Sequence, residues 1–90
     1  MEDDDPYLLQ SICVHDGNPA FAGNHWYALI YDFKQEKWRK YNDHIVTEID
    51  EDQVMKEAFG QDAEGWKTAY WLVYIKKSIV DSQKQAWNIN

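Results

Sequence analysis

The sequence predicts an α+β fold that is mostly antiparallel β-sheet with one short helix. Four runs rich in aromatic and β-branched residues alternate with polar, turn-forming segments, and a segment with helix caps stands before the last run. The 90 residues include five Trp, six Tyr and three Phe, which is too much apolar matter for a disordered chain. We therefore predict one folded region at 7–77, an acidic leader at 1–6 and a tail at 78–90.

The first three runs predict an interior strand followed by a β-hairpin. The run YLLQSICV at 7–14 is apolar on both faces, and turn-forming residues follow it at 15–19. The runs HWYALIYDF at 25–33 and WRKYND at 38–43 are separated by the polar residues 34–37. Two strand-forming runs joined by so short a polar segment form adjacent antiparallel strands.

The helix is predicted from its caps. Asp50 fits the N-cap, Gln53 follows it at the capping-box spacing, and Ile49 and Val54 occupy the hydrophobic-staple positions. Gly60 suits the C-terminal cap. The residues predicted to share an apolar stripe are Val54, Met55, Ala58 and Phe59.

The last strand is predicted at 68–77, TAYWLVYIKK, with large apolar residues on both faces. Something must therefore cover both faces, and ninety residues are too few to do so. We expect the sheet to pack against more protein than this and to present an exposed apolar edge when alone. Residues 78–90 show no sustained period, which leaves a weak helix or a frayed tail.

Charge and cysteine content limit the classes of partner and compartment. Nine basic and sixteen acidic residues give a net charge of −7, the wrong sign for binding nucleic acid or an anionic membrane. A neutral or basic protein partner fits better. The acidic N-terminus, the short apolar runs and the single cysteine predict a protein without signal peptide, membrane span or internal disulfide. We expect an intracellular protein, in the cytoplasm and/or the nucleus.

His25 is the leading candidate for chemistry. It opens a strand directly after the flexible residues 22–24, where a scaffold can hold an imidazole while leaving one edge accessible. A catalytic imidazole needs a carboxylate or amide that fixes its tautomer, expected here through Nδ1, and Asn42 and Asp43 end the next strand. The alternatives are an ordinary histidine and a turn-forming Asn-Asp pair.

The register of the hairpin decides whether His25 meets Asn42. A turn over 32–35 places the two residues opposite one another. A turn over 34–37 pairs His25 with Val46 and leaves Asn42 ~13 Å away along the strand. Both registers keep the two side chains on one face of the sheet.

Other reactive or stacking residues have simpler explanations. Cys13 lies inside an apolar strand, where a thiol behaves as a small hydrophobe, so we reject it as a nucleophile. The three histidines show no compact ligand spacing, so neither a metal site nor another cofactor is expected. The aromatics best explained by sheet packing are Trp38, Tyr41, Tyr70, Trp71 and Tyr74.

The motifs form an ordered series. They are Tyr7-x-Leu9, His15-x-Gly17, Gly23-x-His25-Trp26-Tyr27-Ala28-x-Ile30, Trp38-x-Lys40-Tyr41-Asn42-Asp43-x-x-Val46-Thr47 and, after a helix, Thr68-Ala69-Tyr70-x-Leu72-x-Tyr74. This series resembles the C-terminal boxes of the catalytic domain of ubiquitin-specific proteases. The resemblance implies a piece of a papain-like cysteine protease fold, which hydrolyses ubiquitin conjugates after the C-terminal glycine of ubiquitin.

The resemblance also implies roles for four residues. His25 matches the general base that deprotonates the thiol, and Asn42 matches the residue that orients it. Asp43 matches the adjacent, assisting position. Trp26 takes the place of the aromatic that follows the histidine and helps to wall the channel for the ubiquitin tail.

The sequence departs from the family pattern in two places. The box with the nucleophilic cysteine is missing, so the implied partners are ubiquitin or ubiquitinated proteins and an N-terminal, Cys-containing part of the domain. Alone, the chain should be inactive. Asn24 also stands between Gly23 and His25, where the family has glycine directly before histidine. The alternatives are an inactive ubiquitin- or protein-binding module and an acidic β-rich interaction domain with a chance pattern.

Overall fold

The computed structural model describes residues 5–22, 24–61 and 64–88. Within them, five antiparallel strands form one sheet of order β4-β3-β2-β1-β5, accompanied by two α-helices. The elements are β1 (Tyr7–Asp16), a 3₁₀ turn (Pro19–Phe21), β2 (His25–Asp32), β3 (Lys37–Asn42), β4 (Ile45–Ile49), α1 (Glu51–Ala58), β5 (Lys67–Lys76) and α2 (Lys77–Asn88). The mostly antiparallel α+β prediction is confirmed, and β1 is an interior strand as predicted.

The core lies between one face of the sheet and α1. Alternate residues of the strands point to this face, because successive strand side chains point to opposite sides. The residues buried there are Ile12, Val14, Tyr27, Leu29, Trp38, Val54 and Ala58. We call this the core face. The opposite side, which carries Cys13, Trp26 and Trp71, is the outer face.

Helix α1 begins at its predicted N-cap, Asp50, and its C-cap residue, Phe59, comes one position before the predicted cap. The backbone N–H of Gln53 donates to Asp50 Oδ1 (2.8 Å), which satisfies a donor that the first turn leaves unpaired. Gly60 follows the C-cap residue and has φ +71°, a conformation that glycine adopts without strain. Phe59 does not join the predicted stripe and is 58% exposed, since at the C-cap (φ −115°, ψ 21°) the chain has left the helix.

The prediction of a single short helix is wrong, because residues Lys77–Asn88 form a second one. For the described residues 78–88, the expectation of a helix is confirmed and that of a frayed tail is wrong, whereas residues 89 and 90 lie outside the described residues. Asp5, which the sequence places in a leader without a function, caps α2 by accepting from Ser78 N (2.9 Å) and Ser78 Oγ (2.7 Å). These bonds with Ser78 lower the pKa of Asp5. Residues 1–4 of the leader lie outside the described residues.

Strand β5 is an edge strand, and neither of its faces is fully covered by the described chain. Tyr70 is 68%, Trp71 65% and Tyr74 53% exposed. The exposed apolar edge is therefore confirmed, and the covering of these faces by more protein than this chain stays a prediction. Neither of the two described helices is both long and apolar enough to cross a membrane.

Candidate active site

His25 and Asn42 meet on the core face at the open end of the hairpin. His25 is the first residue of β2 and Asn42 the last of β3, and His25 Nε2 donates to Asn42 Oδ1 over 2.8 Å. An amide oxygen only accepts hydrogen bonds, so the ring carries its proton on Nε2. In the neutral ring Nδ1 is then the nitrogen with the basic lone pair.

Both predicted hairpin registers are wrong, and the observed one lies between them. Asp32 pairs with Lys37 and Ala28 with Tyr41, so the turn comprises residues 33–36. The Asp32 carboxylate fixes this turn by accepting from the backbone N–H groups of residues 34 and 35 (2.9 and 3.0 Å). Glu36, with φ 57°, then brings the chain back into β3.

The observed register places His25 and Asn42 on a diagonal, two positions from a direct cross-strand pair. Diagonal neighbours on one face lie within reach of long side chains, and the prediction that the two share a face is confirmed. The expectation that Nδ1 makes the bond is wrong. Because Asn42 is displaced along the strand, the nitrogen at the far end of the ring, Nε2, reaches it.

Asp43 lies in the tight turn between β3 and β4, where Asn42 pairs with Ile45. Its φ of 55° is left-handed, a conformation that aspartate tolerates better than most residues. Its side chain is exposed. The Asn-Asp pair therefore does form a turn, and the same turn holds Asn42 next to His25.

Trp26 lies on the outer face, away from the face of His25. Its ring packs against His15 (centroids 4.5 Å apart) and edge-on against Tyr70 (4.7 Å). Its Nε1 donates to Asn24 Oδ1 (3.2 Å), so the residue that departs from the family pattern supports Trp26. Gly23 lies outside the described residues. The role of Trp26 in a substrate channel stays a prediction.

A buried carboxylate next to the site was missed at the sequence level. Glu57 of α1 is 3% exposed and accepts from Tyr27 Oη, Lys40 Nζ (3.0 Å) and Gln53 Nε2 (2.9 Å). Burial alone raises the pKa of Glu57, but the bonds from Tyr27, Gln53 and Lys40 outweigh it and lower the pKa. The sequence feature that could have indicated this buried carboxylate is an acidic residue next to Ala58, on the apolar side of the predicted helix.

Cys13 does not share the face of His25. It pairs with Ala28 on one side and Trp71 on the other, and its side chain belongs to the outer face. In the described part of the chain, no three His, Cys, Asp or Glu side chains are arranged to hold a metal ion.

A comparison with protein families matches residues 1–74 to the family described as "Ubiquitin carboxyl-terminal hydrolase". The chain belongs to this family. The ubiquitin carboxyl-terminal hydrolase match includes both His25 and Asn42, and it ends within β5, before α2 begins. The resemblance to ubiquitin-specific proteases is thus confirmed.

Several ubiquitin carboxyl-terminal hydrolases are similar to this member of the family. Ubiquitin carboxyl-terminal hydrolase 28 of Gallus gallus is 39% identical over 74 residues, covering 82% of this chain and 7% of the relative. The Homo sapiens protein of the same name is 38% identical, covering 82% of this chain and 6% of the relative. Ubiquitin carboxyl-terminal hydrolase 3 of Saccharomyces cerevisiae is 34% identical, covering 84% and 8%. The chain therefore spans less than a tenth of each relative.

Proposed function

We propose that this chain is a C-terminal segment of a papain-like ubiquitin-specific protease domain and supplies the histidine and its orienting amide for thiol-dependent hydrolysis of ubiquitin conjugates. The observation that carries the proposal is the 2.8 Å bond between His25 Nε2 and Asn42 Oδ1 in a chain of this family. The bond selects the Nε2–H tautomer, which a general base needs if Nδ1 is to accept a proton.

The proposed chemistry uses both ring nitrogens of His25. Nδ1 takes the proton of a cysteine thiol, and the thiolate attacks the carbonyl carbon of the bond after the terminal glycine of ubiquitin. The protonated ring then gives that proton to the leaving amine, and a water molecule deprotonated by Nδ1 hydrolyses the thioester. Asn42 holds the ring in place throughout. Asp43 is proposed to assist from the adjacent turn.

The nucleophile is proposed to come from outside this sequence. The single cysteine, Cys13, belongs to the outer face, whereas His25 belongs to the core face. The proposed partners are therefore an N-terminal, Cys-containing part of the domain and ubiquitin itself. The net charge of −7 suits a basic substrate tail. The intracellular location stays a prediction from the sequence.

The second candidate function is an inactive module that binds ubiquitin or another protein. The position of Cys13 on the outer face favours it, because this chain then holds no thiol beside the imidazole. The two functions differ in one respect that can be measured, namely whether His25 is needed for turnover or only the surface is needed for binding.

The experiment is a segment exchange. Residues 7–76 replace the matching segment of human ubiquitin carboxyl-terminal hydrolase 28, and hydrolysis of a fluorogenic amide of ubiquitin is followed. We expect an active hybrid in which His25→Ala lowers kcat by about 10²–10⁴-fold and Asn42→Ala lowers it less. His44→Ala, in the exposed turn after β3, is the matched control and should change nothing.

Two results decide against the catalytic proposal. A hybrid that keeps its rate after His25→Ala does not use this histidine as a base. A hybrid that folds and binds ubiquitin but does not hydrolyse it supports the binding module instead.

A further inference from the structure

Glu57 joins the two strands that carry His25 and Asn42. Tyr27 of β2 and Lys40 of β3 both donate to its carboxylate, and Lys40 Nζ also lies 4.7 Å from the centroid of the Tyr27 ring. Gln53, one turn earlier on α1, fixes the carboxylate from the helix side (2.9 Å). The four side chains form a buried or half-buried network that spans two strands and a helix.

Each strand residue of this network lies two positions along its strand from one member of the site and on the same face. Tyr27 follows His25 by two positions on β2, with ring centroids 6.3 Å apart. Lys40 precedes Asn42 by two positions on β3. Side chains two apart on a strand point to the same face, so the network lies directly beside the His25–Asn42 bond.

The ladder between β2 and β3 stops short of the site, although each member of the site pairs with its other neighbouring strand: His25 with Asp16 of β1, and Asn42 with Ile45 of β4. Paired residues of β2 and β3 run from Asp32↔Lys37 to Ala28↔Tyr41, and both His25 and Asn42 lie beyond that last pair. Beyond the last backbone pair of β2 and β3, the side-chain bonds of the network and of the site join these two strands. A bond of 2.8 Å between diagonal residues tolerates little change in the spacing of the two strands.

We propose that Glu57 is a positioning residue for the His25–Asn42 pair, because it holds Tyr27 and Lys40 at the spacing that the bond between Nε2 and Oδ1 requires. The proposal rests on the proposed function only for the use of that bond in catalysis. The positioning itself is a property of this chain and can be measured in it.

A carboxylate is the group that this position requires. It has two oxygens and no hydrogen-bond donor, and it meets three donors in a site from which water is largely excluded. Glutamine keeps the size of glutamate but offers one oxygen, and its NH₂ group faces the ammonium of Lys40 or the amide of Gln53. Glu57→Gln therefore leaves at least one donor unmatched and pushes Lys40 away.

The test is nitrogen-15 NMR of the His25 ring in the 90-residue chain, read as the fraction of the neutral ring protonated at Nε2 and the exchange rate of that proton with water. Wild type should show the Nε2–H tautomer and slow exchange. Glu57→Gln should shift the ring toward a mixture of tautomers and raise the exchange rate about two- to tenfold, the worth of one hydrogen bond. Tyr27→Phe, which deletes one hydroxyl, should act in the same direction and decides the matter if Glu57→Gln does not fold.

Asp32→Asn is the matched control. It removes a carboxylate that joins the same two strands through Arg39 (2.6 Å), but at the far end of the hairpin. It should weaken the hairpin and leave the His25 ring unchanged. All spectra are compared at temperatures where circular dichroism shows each variant to be folded.

The outcomes separate this proposal from the proposed function. If Glu57→Gln and Tyr27→Phe leave tautomer and exchange as in wild type, or if Asp32→Asn changes them equally, Glu57 is not a positioning residue. If instead Asn42→Ala leaves the ring unchanged, the His25–Asn42 bond itself is absent, and the catalytic proposal loses its foundation. A negative result for Glu57 alone leaves the segment-exchange prediction unchanged.

Discussion

Replacing Glu57 with Gln should make the protein less stable at neutral pH. The substitution removes the charge that three donors share in a site where the residue is 3% exposed. Hydrogen bonds to a charged group contribute about 1.5–3 kcal/mol, and we expect a loss of this size in the free energy of unfolding. For a domain of this size, that corresponds to a fall in Tm of about 6–24 °C.

The effect should be smaller in acid. The pKa of Glu57 in the folded protein lies below its ordinary value of 4.5. Its contribution to stability is therefore fully present above about pH 4.5 and is lost as the pH falls further, through the folded pKa. The difference in stability between wild type and Glu57→Gln should shrink over the same range. Other carboxyls of lowered pKa, such as Asp32 beside Arg39, are common to both proteins and cancel.

The assay is urea unfolding, followed by tryptophan fluorescence, at pH 7 and pH 3. Glu48→Gln is the control, because Glu48 forms an exposed pair with Lys37 (3.5 Å) and surface pairs contribute about 0–1 kcal/mol. If wild type and Glu57→Gln differ in free energy of unfolding by the same amount at both pH values, the stabilisation does not depend on ionisation of Glu57 and the reasoning is refuted. A loss in Glu48→Gln as large as in Glu57→Gln would refute the importance of burial.

Two further predictions concern the helices. Asp50→Ala removes the acceptor for the backbone N–H of Gln53 (2.8 Å) and should lower the free energy of unfolding by about 1 kcal/mol in urea melts. The control Asp50→Asn keeps an acceptor and should nearly match wild type. Equal losses in the two variants would exclude the cap as the cause. Ser78→Ala removes the 2.7 Å bond to Asp5 and should speed amide hydrogen exchange in α2. Ser82→Ala, further along the same helix, is the control and should exchange as wild type does. The same exchange rates in wild type and both variants would contradict this prediction.

Local chemistry explains the features that the sequence predicts correctly. The interior strand, the hairpin and the caps of α1 depend on alternation and on residues a few positions apart, such as Asp50 and Gln53. His25 and Asn42 share a face in every hairpin register that differs from the observed one by an even number of residues, because side chains alternate between the two faces of a strand. These parts of the fold and the site can therefore be predicted from the sequence.

The remaining features depend on contacts between distant residues. Asp5 and Ser78 are 73 positions apart, so no local period indicates that α2 is capped. Tyr27 and Glu57 are 30 positions apart, and their bond appears only when α1 packs on the sheet. The register is an intermediate case, since the carboxylate of Asp32 fixes a four-residue turn that alternation alone does not specify.

The position of β1 in the sheet determines the order in which the sheet can form. β1 pairs on one side with β2, its neighbour along the chain, and on the other with β5, the last strand. Closing the second ladder requires a loop of about fifty residues, and long-range pairings of this kind slow folding. During synthesis, β1 to β4 can pair with one another while the backbone groups on one side of β1 are still unpaired. The nascent chain thus adds an edge strand last, and β1 becomes an interior strand only once β5 has left the ribosome.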